Sequence, residues 1–188
     1  TRLGWRGVVD ALRAAPAVMV AGLAGGFFES GLAGVLPLYG LAMGFGAAVS
    51  ALLVSASGLG GTLTMLPLGE LADRVPRRVV ALGCASATLA ATLALPLAGA
   101  HAALAATVAF VCGGAGGALY TLAMIEIGHR HEGTALVNAT AVLVLSYTVG
   151  AMLSPALGAA ALQLSPQWGF AGLLATVALA ALVALSRR

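Results

Sequence analysis

Glu29 stands between Phe28 and Ser30, far inside a run of apolar residues. A carboxylate there costs about 3 kcal/mol if it meets hydrocarbon, so it is expected to face a cavity or a neighbouring helix. Two chemistries suit it. A carboxyl group that gains and loses a proton as its exposure changes can couple proton flow to another movement. An ionised one can instead hold a cationic solute. The rival role is a permanently protonated acid hydrogen-bonded to Ser or Thr hydroxyls. At helical spacing Glu29, Leu32, Leu36 and Tyr39 fall on one stripe. Tyr39 is therefore a second candidate for the cavity, with a membrane-interface anchor as its alternative role. Tyr120 is a third. Asn138, Thr140, Ser146 and Tyr147 add hydrogen-bonding groups of the kind that line a path or join helices.

Glu126 precedes the polar turn Gly128–Gly133, where it either pairs with an arginine in a gate or stays a simple interfacial carboxylate. His129 and His131 in that turn are read as solvated, and no metal-ligand spacing exists. Nothing resembles a nucleophile elbow, a phosphate loop or a His-Glu-x-x-His helix. The chain is read as a non-enzyme without cofactor or metal.

The elements that must position these groups are set by composition. The chain is 61% hydrophobic and 8% charged, against about one quarter charged in an ordinary globular protein. Too little polar side chain remains to cover a soluble surface, whereas a bilayer removes that demand. Six apolar runs are each long enough to cross it as a helix: Ala15–Met43, Ala47–Leu71, Val79–Leu97, Ala102–Ile127, Ala135–Leu162 and Trp168–Leu185. They lack the period-2 alternation of a membrane barrel, and helices satisfy every backbone group internally. The fold class is all-α and polytopic.

All nine basic residues are arginines. Arg2, Arg6 and Arg13 precede the first run, and Arg74, Arg77 and Arg78 lie between the second and third. Arg130 lies between the fourth and fifth, and Arg187 and Arg188 follow the sixth. The turns near Gly44–Gly46, Gly99–His101 and Gln163–Gln167 carry none. Cytoplasmic loops hold the positive excess, so both termini are expected in the cytoplasm of a cell whose inner membrane the chain spans. The basic pI then reflects headgroup attraction and not a nucleic-acid partner. Residues 1–14 read as a cytoplasmic juxtamembrane segment that can form an interfacial helix, 15–185 as the bundle and 186–188 as a tail. The chain begins at Thr1, so further sequence is expected upstream. Cys84 and Cys112 sit in apolar runs and read as small apolar side chains. The third and sixth runs are almost wholly apolar and read as the lipid-facing helices. Glycine-rich faces in the second, fourth and fifth read as close-packing or hinging surfaces.

The segment Gly69-Glu70-Leu71-Ala72-Asp73-Arg74-Val75-Pro76-Arg77-Arg78 resembles the Gly-x-Leu-Ala-Asp-Arg-x-Gly-Arg-Arg signature of the major facilitator superfamily. Pro76 stands where that family usually has Gly, which stiffens the turn. Read physically, Gly69 lets helix ends approach and Asp73 caps a helix or meets a neighbouring dipole. The segment Gly150-Ala151-Met152-Leu153-Ser154-Pro155-Ala156-Leu157-Gly158-Ala159 is similar in part to the Gly-Pro pattern of that family's fifth or eleventh helix. Pro155 is expected to kink its helix. The runs Pro37–Gly40 and Ala118–Leu122 resemble the seventh and tenth helices of bacterial drug- and sugar-type permeases.

The resemblance implies one half, the C-terminal one, of a twelve-helix bundle, built as two inverted three-helix repeats. It implies secondary active transport of a small organic solute by alternating access, with H⁺ as the driving ion through Glu29. Gly69, Asp73, Arg74, Arg77, Arg78 and Glu126 then form the cytoplasmic gate, Tyr39 and Tyr120 the cavity wall, and Gly150, Pro155 and Gly158 a packing or hinge set. The implied partners are the solute, the bilayer and the other six-helix half or a second copy. The alternative is a half-sized membrane subunit with a structural or signalling role, or a homodimerising half-transporter. Cysteines placed beside Arg77 or Arg130, with Cys84 and Cys112 replaced, are expected to resist an impermeant maleimide added outside intact cells. Labelling at either place would overturn the topology.

Overall fold

In the computed structural model, Arg13, residues 15–99 and residues 101–187 are described. The expected juxtamembrane helix lies, Arg13 apart, outside them, as does Arg188. Proline and glycine punctuate the chain. Helix α1 (Pro16–Gly34) and the short α2 (Leu36–Ala42) together make the first traverse. Pro37 offers no N–H to the Ala33 carbonyl, so the helix breaks there. The Val35 N–H donates to Gly31 O at 2.8 Å and the Tyr39 N–H to Val35 O at 2.9 Å, which carries the ladder across the break. A tight turn with Gly44 at φ +87°, a region open to glycine, leads into α3 (Ala47–Arg74). Helix α4 (Arg77–Ala94) closes in a 3₁₀ turn over Leu95–Ala98, and α5 (Ala102–Arg130), α6 (Gly133–Leu164) and α7 (Gly169–Ser186) follow.

Among the described residues, six helical stretches are long and apolar enough to cross a membrane, in the order the hydropathy anticipates. One boundary shifts the chemistry. Helix α3 runs on to Arg74, so Gly69–Arg74 is helix and not loop. Asp73 therefore lies in the last turn of α3, and the first turn of α4 has no side-chain cap.

Helix α3 packs along α5, and α6 packs along α1. Both seams close on glycine. A Cβ on Gly60 would overlap the Phe110 carbonyl oxygen, and one on Gly113 that of Ser57. A Cβ on Gly150 would overlap the Leu23 carbonyl oxygen, and one on Gly26 that of Tyr147. The two sets obey one numbering relation. Moving 87 residues on from Leu23 and Gly26 reaches Phe110 and Gly113, and moving 90 back from Tyr147 and Gly150 reaches Ser57 and Gly60. The first traverse with α3 and α4 thus forms one three-helix unit and α5–α7 the second. Because three is odd, the second unit enters the membrane from the opposite side, which is an inverted repeat.

The last helix of each unit packs against the other across the repeat axis. Helices α4 and α7 run antiparallel and are tied at both ends: Arg78 Nη2 donates to Ser186 O at 2.7 Å, and Gln167 Nε2 donates to Pro96 O at 3.4 Å. Helices α4 and α7, expected to face lipid, are buried on one side and exposed on the other, as at Val79, Leu93, Leu179 and Val183. Helices α4 and α7 bury more of their length than α3 and α6 do. Their seam of Ala81, Ala85, Thr88, Ala178 and Ala181 meets protein. Leu59, Leu63 and Leu66 of α3, with Val137, Leu145 and Met152 of α6, stay uncovered. Hydropathy does not separate the two cases, because lipid tails are as apolar as leucine.

Replacing Gly60 or Gly150 with Ala is expected to destabilise the folded protein by about 1–3 kcal/mol through overpacking. Ala at Gly83 or Gly172, where a Cβ meets nothing within 4 Å, is expected to stabilise by about 0.5–1 kcal/mol. Unfolding in detergent measures both; equal effects at the two kinds of site would refute the close-contact reading.

Candidate functional site

Glu29 lies midway between Pro16 and Ala42, the ends of the first traverse, and remains exposed to an open cleft. The cleft holds about 490 Å³ and runs between α1, α3 and α5. Leu32, Val54, Met65 and Ala118 supply apolar wall, and Tyr120 and Thr121 close one side. Its floor is the glycine seam, since Gly58, Gly61, Gly113 and Gly117 all line it.

The hydroxyl of Tyr147, on α6, donates to Glu29 Oε2 at 2.8 Å. The Tyr147 ring leans on that of Tyr120, centroids 4.6 Å apart and planes tilted by 50°, a favourable edge-to-face range. Tyr120 is itself seated by Gly25, where any side chain would collide with its Cβ. Tyr147 is seated by Gly26, as its own carbonyl fills that place. Two adjacent glycines on α1 thus admit two tyrosines beside one carboxylate.

The repeat relation explains why the space is there. By the same 87- and 90-residue steps, Tyr120 corresponds to Ala33, Tyr147 to Ser57 and Glu29 to Gly116. Ala33 and Ser57 are cleft-lining residues. The bulky polar set on one side of the axis has small residues as its counterpart on the other, and the difference in volume is the cleft.

Tyr39 sits elsewhere. It is 1% exposed, its ring lies 6.0 Å from that of Phe170, and its hydroxyl is buried without a hydrogen bond among the described residues. The helical stripe places it on the same face as Glu29, but the break at Pro37 and the packing of α7 carry it into the core. It does not line the cleft.

The arginine-rich end gathers a second group. Arg77, Arg78, Glu126 and Arg130 line a smaller cleft of about 210 Å³ between α1, α4, α5 and α7. Glu126 Oε1 and Arg130 Nη2 pair at 2.5 Å, one turn apart on α5. The Arg77 Nε is buried without a hydrogen bond among the described residues. Gly69, Asp73 and Arg74 lie on the outer side: Arg74 and Glu70 are 4.0 Å apart and largely exposed, a pair worth little. An added Cβ on Gly69 would meet nothing within 4 Å, so Gly69 is not a close-approach point within this bundle. Gly158 packs on Val35 and Phe170. Next to the exposed Pro155, Ser154 Oγ donates to Phe27 O at 2.6 Å across the α1–α6 seam.

A carboxylate midway along the first traverse, beside a cleft between two inverted three-helix units, is an arrangement consistent with half of a transporter. Residues 18–188 match the family model of the Major Facilitator Superfamily. The chain belongs to that superfamily, whose members are transporters. A comparison with curated proteins gives no match.

Sequence spacing does not reveal that Tyr147 meets Glu29, because 118 residues separate the two. In difference infrared spectra against Glu29→Gln, which isolate the Glu29 carboxyl bands, Tyr147→Phe is expected to shift those bands. Tyr39→Phe should leave them in place. Unmoved bands in Tyr147→Phe would exclude the hydrogen bond.

Proposed function

We propose that the protein moves a small organic solute across the cell's inner membrane by alternating access, with proton transfer at Glu29 as the driving step. The observation that carries this reading is the Glu29–Tyr147 hydrogen bond at mid-span, beside a cleft large enough for a solute. A carboxyl group on the wall of an open cleft can exchange its proton with whichever aqueous side the cleft faces. Solute and proton then compete for, or share, one charge.

The arginine-rich end faces the cytoplasm by the positive-inside rule, and both termini lie there. The cluster of Arg77, Arg78, Glu126 and Arg130 at that end acts as the cytoplasmic gate with Asp73 and Arg74. The buried Arg77 Nε supports this role, because a donor without a partner is costly and a carboxylate from a second bundle relieves it. The uncovered apolar faces of α3 and α6 receive that second bundle, the other six-helix half or another copy. Rocking of one bundle against the other opens the cleft to each side in turn.

Full-length protein in proteoliposomes tests the coupling. Glu29→Gln is expected to abolish proton-driven accumulation of the transported solute while counter-exchange continues. Uphill uptake at the wild-type level in Glu29→Gln would remove the coupling role.

A further inference from the structure

We infer that the groove between the start of α1, the end of α5 and the end of α7 holds an anionic phospholipid, with its phosphate on Arg130 and Arg187 and an acyl chain over the small residues beside them. The groove encloses about 520 Å³ and shares no lining residue with the solute cleft. Its wall is of two kinds. Ala15, Ala17, Val20 and Ala184 make most of it apolar, and Arg130 and Arg187 supply the charge. No carboxylate among the described residues lines it. An apolar trough under two guanidinium groups matches a molecule that is greasy at one end and negative at the other.

The backbone at this end favours negative charge as well. Helix α1 begins in the groove, with Ala15 as its N-cap. No side chain caps it, and its first turn holds no acidic residue, so its positive end remains open to an outside anion. Arg130 Nη2 pairs with Glu126, but a guanidinium carries five N–H donors in a planar fork that fits phosphate oxygens. Arg187 follows the last turn of α7 and is exposed. The Ser186 carbonyl beside it already accepts from Arg78 Nη2 at 2.7 Å, so Arg187 is not needed there. The residues ahead of the groove include Arg2, Arg6 and Arg13, which share its charge and do not neutralise it. A free anion would meet the arginines and leave the apolar wall wet, whereas a lipid covers both. Basic pockets between helices at the cytoplasmic face take anionic headgroups in this way, and the arginine-rich end is the one assigned to that face. A lipid seated there ties α1 to α7 at the end where Arg130 also borders the arginine-lined cleft.

The probes are phosphatidylglycerol and phosphatidylcholine with identical chains, added to delipidated full-length protein in neutral detergent and read by native mass spectrometry. One phosphatidylglycerol is expected to be retained at low excess, and phosphatidylcholine several-fold less. Arg187→Gln is expected to weaken retention of phosphatidylglycerol several-fold, and Ala184→Trp, which fills the groove, to lower it likewise. Arg74→Gln, equally cationic and exposed but outside the groove, should leave it unchanged. Equal retention of the two lipids would overturn the proposal, as would wild-type retention in Arg187→Gln. Glycerol phosphate that displaces the lipid at equal concentration would show an anion site without a chain groove, and would overturn the lipid assignment too. If Ala184→Trp does not fold, Arg187→Gln and the comparison of the two lipids decide.

Discussion

Four glycines pressed against carbonyl oxygens hold this bundle together. Without an aqueous solvent to drive helices into contact, association in lipid depends on how closely backbones approach. Gly60 and Gly113 set that distance between α3 and α5, and Gly26 and Gly150 set it between α1 and α6. Each seam joins a helix of one three-helix unit to a helix of the other, so neither unit is a separate body. The inversion follows from the odd number of crossings per unit. The constant steps, 87 residues from α1 to α5 and 90 from α3 to α6, show that one packing solution is used twice.

Symmetry alone would leave the two sides of the axis equivalent. Chemistry enters where they differ. Gly25 and Gly26 let Tyr120 and Tyr147 stand beside Glu29, whereas the corresponding places on the other side are Ala33, Ser57 and Gly116. The same small residues that allow tight packing therefore also leave volume unfilled, and a charged group borders that volume. At the arginine-rich end the balance is reversed. There Arg77, Arg78 and Arg130 line one cleft with Glu126, so positive charge dominates where the middle of the bundle offers a carboxylate.

Much of this was legible from the residues. Six apolar runs and alternating arginines give the crossings and their order, because lipid selects strongly for both. Glu29 was legible as a candidate because charge inside a membrane is expensive. Its partner was not, since Tyr147 reaches it only through the α1–α6 seam. Tyr39 shared its helical stripe but not its surroundings, as Pro37 breaks the helix between them. Exposure does not follow hydropathy: α4 and α6 are equally apolar, yet α4 buries more of its length than α6 does. Composition records how apolar a surface is and not what covers it.

The ties between α4 and α7 have a mechanical consequence. Arg78 to Ser186 at one end and Gln167 to Pro96 at the other fix this pair like the two posts of a frame. Helices α3 and α6 each carry an internal proline, Pro67 and Pro155, and so each lacks one rung of its ladder. The two outward helices therefore resist bending less at those points than the pair that is tied at both ends.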